Sequence, residues 1–208
     1  RKSMIQNPAV TQSPCLDNFH EFYAEVLRFK QALTSSDREA GLLPPDPELE
    51  PESLTPEHIN HKLLSVLQRQ ALEASRRGGE YGAAFYREAQ YIMAALGDET
   101  FLHLPWSGRE AWQAFLLEYK LFGTHNAGEQ FFERIDTLLS ERDAANSEIA
   151  LIYLAALGLG FQGKFRGRTD TTPIEQYKRK LFAFINHREP RIDHAAKTLF
   201  PEAYGHTL

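Results

Sequence analysis

The residues with the most recognisable chemical spacing are the glycines of GLGFQGK, Gly158 to Lys164. They satisfy G-x-G-x-x-G literally and come close to G-x-x-x-x-G-K-[ST], two backbone cradles for nucleotide phosphates. Such a loop binds phosphate when a strand leads in and a helix N-terminus leads out, because backbone N–H groups and the helix dipole must aim at the anion. Here the preceding run, SEIALIYLAAL, reads as helix, and Phe165 stands where a magnesium-binding hydroxyl belongs. The glycines therefore read first as a helix end and a site of close helix packing. A nucleotide-binding enzyme built on Gly158 to Lys164 is the alternative function.

Asp98 and Glu99 are the next candidates. Adjacent residues on a helix point about 100° apart, so the two carboxylates cannot act as facing acid and base without a third group. Negative charge is also unfavourable in the C-terminal half of a helix, so something must compensate. Either Asp98 and Glu99 pair with Arg109 or another base, or they cap the next helix, or they form an acidic recognition patch. Eight histidines include one pair at a helical step, His58 and His61, and neither HExxH nor CxxC occurs, so no metal or other cofactor is expected. The lone Cys15 can form no internal disulfide, which points to a reducing compartment, and no serine sits in a G-x-S-x-G setting. These residues read as a protein that is not an enzyme. The basic groups Lys164, Arg166, Arg168 and Lys178, Arg179, Lys180 suit a protein contact, phosphates or anionic headgroups. A formal charge of -5 argues against nucleic acid as a partner.

The elements that must position these residues are helical. With 42% apolar and 25% charged residues the chain has the composition of a folded domain. Residues 1–16 read as a flexible leader, and Asp17 or Asn18 caps a first helix ending near Thr34. An acidic loop at 35–55 carries Pro44, Pro45, Pro47 and Pro51. Thr55 and Pro56 start a helix that ends at Gly78 and Gly79. Phe85, Ala89, Ile92, Met93, Leu96 and Thr100 then mark a core-facing helix that Pro105 stops near His103. Ser107 with Glu110 predicts a capping box for a helix burying Trp112, Phe115, Leu116 and Tyr119 up to Gly123, and Asn126 with Glu129 repeats the pattern. Glu148 to Gly160 follows as a buried helix, its apolar run of 13 residues falling short of the roughly 20 that span a bilayer. A Gly- and Arg-rich loop at 162–171, a helix from Thr172 and Pro173, and a short helix at 192–199 complete seven or eight helices with no alternating strand pattern.

The runs YIMAALGDE, WSGREAW, LLEYKLFG, AGEQFFERI, YLAALGLGFQGKFRG and LFPEAY, in that order from about Asn18 to His206, resemble the cytoplasmic domain of the DotU/IcmH/TssL family of type VI secretion systems. The resemblance implies an all-α fold of two three-helix bundles in a hook-like arrangement, with residues 17–208 as one cytoplasmic domain of two sub-bundles sharing a core. It implies a structural adaptor at the bacterial inner membrane that links the membrane complex to the baseplate. The partners implied are a TssM-type inner-membrane subunit, a TssK-type baseplate protein and a second copy of the chain. A C-terminal transmembrane helix is expected beyond Leu208. The Asp98–Glu99 pair matches the family's acidic motif, so Asp98, Glu99, Arg109 and Glu110 are expected to form or buttress a docking surface, with Arg166 and Arg168 as a second contact.

Overall fold

The structure is a computed structural model that describes residues 13–34 and 54–186. Most of the acidic proline-rich loop (35–53), the short helix expected at 192–199 and residues 1–12 lie outside the described residues. Among the described residues every regular element is helical: α1 (Pro14–Thr34), α2 (Pro56–His103), α3 (Leu117–Phe122), α4 (Ala127–Glu141), α5 (Ser147–Gly158) and α6 (Thr172–Asn186). Three 3₁₀ turns join them, at Ala111–Phe115, Ala144–Asn146 and Gly163–Phe165. The fold is all-α.

Residues 150–157 of α5 are apolar on every side, and a helix without a polar face belongs inside. Ile149 to Leu157 are all buried, and α5 touches α1, α2, α4 and α6. The wider segment Ala144–Phe165 is apolar and long enough to cross a membrane on composition alone, yet here it supplies the centre of the core.

α2 is two helices in one. Thr55 caps its start, its Oγ1 accepting from the His58 N–H at 3.2 Å, and Pro56 takes the first position, where a missing N–H costs nothing. At Gly79 the backbone turns to φ 60°, ψ -144°, a conformation open to glycine, and the helix resumes at once with no intervening loop. The second arm doubles back on the first. The Tyr86 hydroxyl donates to the Gln70 side chain at 2.8 Å, and Gln90 Nε2 donates to the Leu67 carbonyl at 3.2 Å. Gln70 in turn donates to Asn18 O and to Glu21, fastening the hairpin to α1.

Two helix starts, and the cap of a third helix, differ from the sequence expectation. α1 begins at Pro14 rather than at Asp17 or Asn18, because Ser13 and the remote Glu148 satisfy its first N–H groups; Cys15 and Leu16 are thereby core residues. Burial, with Glu148 adding to it, pushes the Cys15 thiol up to about 12, so it is no nucleophile at neutral pH. The helix expected from Ser107 to Gly123 is a turn, a 3₁₀ segment and the short α3. No cap bond forms at Glu110; Trp112 instead drives into the core with its ring 4.8 Å from Phe101, and Asn60 Nδ2 holds the Phe115 carbonyl. Tyr119 is not part of a buried stripe but half exposed, stacked on His125. Asn126 makes no side-chain cap on α4 either, because the carboxylate of Glu118 takes that role from eight residues upstream.

Candidate functional site

Asp98 and Glu99 sit near the end of α2, closing a run from Ala89 to Glu99 in which every residue is buried. Both are buried, Asp98 at 4% exposure and Glu99 at 8%. An anion removed from water this far needs donors, and each has its own set. Asp98 accepts from the N–H groups of Leu117 and Glu118 at 2.8 and 2.9 Å, and from the Trp112 indole at 3.1 Å. It is the N-terminal cap of α3, supplied from another helix. Burial pushes its carboxyl up to about 7, against those three donors, which hold it down.

The pattern repeats one step along the chain. Glu118, buried at 3% exposure, accepts from the N–H groups of Asn126 and Ala127 and from the Thr124 hydroxyl, at 2.6 to 3.1 Å. So α2 holds α3, and α3 holds α4.

Glu99 points the other way, into the glycine loop. The N–H groups of Gln162 and Gly163 donate to its two oxygens at 2.8 and 2.9 Å, and the Arg166 guanidinium pairs with it through Nε and Nη2. The GLGFQGK segment is thus an anion cradle, but the anion is the protein's own carboxylate. Among the described residues no strand leads into it, and Lys164 lies over the rings of Phe132 and Phe165. A phosphate loop is not what this sequence forms. Gly163 is required on two counts. Its φ is +48°, and a Cβ there would lie 2.6 Å from the Gly128 carbonyl oxygen at the start of α4.

Glu99 stands between two open clefts of about 220 and 180 Å³, both also lined by His103 and Phe161. The larger carries Lys30 and Arg166, the smaller Asp98, Glu118 and His125. Partial burial lowers the His103 pKa, and Arg166 and Arg109 lower it further against the pull of Glu99. In the larger cleft the Thr100 hydroxyl donates to the Leu96 carbonyl at 2.8 Å, and the described residues contain no group of ligands able to hold a metal.

Of the six residues singled out by sequence, the structure brings together Glu99 and Arg166, and places Asp98 beside them on α2. Arg109 and Glu110 are exposed on the turn before Trp112 and bond to neither acid. Compensation for the acidic pair comes from Arg166 and the α3 N-terminus, not from Arg109. Arg168 is exposed over the Phe165 ring, 5.3 Å from its centre. Glu118 and Trp112 are the partners that pattern reading missed as functional. The signal for Glu118 was an acid inside the apolar run FLLEYKLF, which can be buried only with donors in reach.

The family described as type VI secretion system protein DotU matches residues 48–207, well over half of the chain. The chain belongs to the DotU family. DotU proteins, also called TssL, are structural components of type VI secretion systems. Among solved structures, the cytoplasmic domain of TssL from Acinetobacter baumannii superposes with a TM-score of 0.64 at 22% identity, covering 86% of this chain and all of that one. At that identity the likeness is one of fold. No curated protein matches the chain. For a DotU domain, then, the acidic pair is an internal feature, and what faces outward is set by what it fastens.

Proposed function

We propose that this DotU domain is the cytoplasmic platform of an inner-membrane subunit, joining a TssM-type membrane partner to a TssK-type baseplate protein, with self-association of the domain as part of the assembly. In this reading a transmembrane anchor follows the domain, and the helices form two three-helix bundles in a hook with the clefts around Glu99 at their junction. Asp98 and Glu99 act as a buttress. They fix the start of α3 and, through the Trp112 indole, the end of the turn bearing Arg109 and Glu110, together with the loop bearing Arg166 and Arg168, and the exposed members of that set meet the partner.

The observation that carries this reading is the carboxylate series in a member of a structural family. Two adjacent acids hold two separate segments, the buried start of α3 and the glycine loop, through backbone N–H groups, an arrangement that serves rigid presentation. A pull-down of a TssK-type protein by the domain tests it. Replacing Arg109, Glu110 and Arg168 with alanine should cut capture several-fold with helicity and melting unchanged, since exposed residues outside packed contacts have small effects on stability. Undiminished capture would rule out these residues as the docking surface.

A further inference from the structure

Three cations, Lys164, Arg168 and Lys180, gather on one aromatic platform. Phe132 of α4, Phe165 of the 3₁₀ turn and Tyr177 of α6 are mutual neighbours, with ring centres 4.8 to 6.4 Å apart. Around them stand three exposed cations, two from the 162–171 loop and one from α6. Lys164 Nζ lies 5.4 Å from the Phe165 ring centre, the Arg168 guanidinium 5.3 Å from the same ring, and Lys180 Nζ 5.7 Å from Tyr177. From Gln162 to Asn186 the sequence has six Lys or Arg against two Asp or Glu, within a chain of formal charge -5. Asp136 at the platform accepts from the Tyr177 hydroxyl at 3.0 Å. Glu99 uses Arg166 and Glu175 uses Lys178; Lys164, Arg168 and Lys180 make no ion pair with a described residue.

We propose that this face, centred on Lys164, Arg168 and Lys180 over Phe165 and Tyr177, rests on an anionic lipid surface. Charge complementarity selects the occupant. A net-acidic domain is repelled on average by a negative bilayer, so contact must be made through a region of opposite sign, and Lys and Arg close to a membrane each strengthen such contact measurably. Half-buried Phe165 and Tyr177 beneath the cations give those long side chains an apolar bed for their stems, with the charged heads outward, the amphipathic arrangement suited to a headgroup layer. Arg168 is the one residue this face shares with the baseplate reading; Lys164 and Lys180 belong to the lipid face alone, so a Lys180→Glu variant separates the failure of one from the failure of the other.

Co-sedimentation of the 208-residue chain with phosphatidylcholine vesicles, with and without phosphatidylglycerol, tests the proposal. Binding is expected with phosphatidylglycerol alone and should weaken as salt rises. Replacing Lys164, Arg168 and Lys180 with glutamine should lower the partition coefficient at least tenfold, on the order expected for three surface cations. Replacing Arg76, Arg77 and Lys120 with glutamine changes the formal charge equally at other exposed positions and should leave binding within about twofold. The single variant Lys180→Glu, on the exposed side of α6, provides the same reading with the platform rings untouched. Absence of wild-type binding to phosphatidylglycerol vesicles overturns the proposal. So does equal loss in the two triple variants, or undiminished binding by Lys180→Glu.

Discussion

The carboxylates at the end of α2 and the cations around Phe165 are two charged regions of this domain that use charge in opposite ways. Asp98, Glu99 and Glu118 are buried, and each accepts from backbone N–H groups at the start of another segment. Lys164, Arg168 and Lys180 are exposed, lie against ring faces and pair with no described acid. The boundary between the two regions runs through one loop. Arg166 turns inward to Glu99, while Arg168, two residues on, stays in solvent. Burial with a full set of donors fixes geometry; exposure over an apolar bed leaves a charge free for a partner.

Substitutions can break this contrast or sharpen it. Asp98→Ala should cost the most, about 3 kcal/mol by urea unfolding, because it strands two N–H groups and the Trp112 indole inside the protein. Glu118→Ala should follow at about 2 kcal/mol, its orphaned groups lying nearer solvent around Asn126. Arg166→Ala should cost about 1 kcal/mol, since water reaches a third of that side chain and Glu99 keeps its two backbone donors. Arg168→Ala should fall within about 0.5 kcal/mol of wild type. An Arg168 effect as large as that of Asp98 would erase the distinction.

Acidity separates the regions as well. The folded carboxyl of Asp98 is raised to about 7, so from about pH 4 to 7 the folded chain keeps a proton that the unfolded chain has released. Stability from this group is full below about pH 4 and is lost as pH rises through 7. Asp98→Asn, which carries no titrating proton, should therefore show a shallower fall in melting temperature across that window than the wild type.

Much of the framework was legible locally. Thr55–Pro56, the stop before Pro105 and the left-handed Gly123 are punctuation written within a few residues, and the all-apolar α5 could only be core. The site was legible in composition but not in partnership. Ser107–Glu110 and Asn126–Glu129 both spell a local cap, yet neither side chain is used at Glu110 or Asn126, because Trp112 gains more by burial and Glu118 reaches the α4 N-terminus first. Glu99 meets Gln162 and Gly163 across more than sixty residues, a pairing that no local pattern encodes. The misplaced acids near a helix C-terminus were the legible clue that such donors must exist.

The most direct test of the carboxylate series is a double-mutant cycle on Asp98→Ala and Glu118→Ala by urea unfolding. Asp98 accepts from the N–H of Glu118 itself, so the first substitution loosens the residue on which the second acts. The double variant should lose less than the two single losses together, by about 1 kcal/mol. Strict additivity would contradict a joint that works in series.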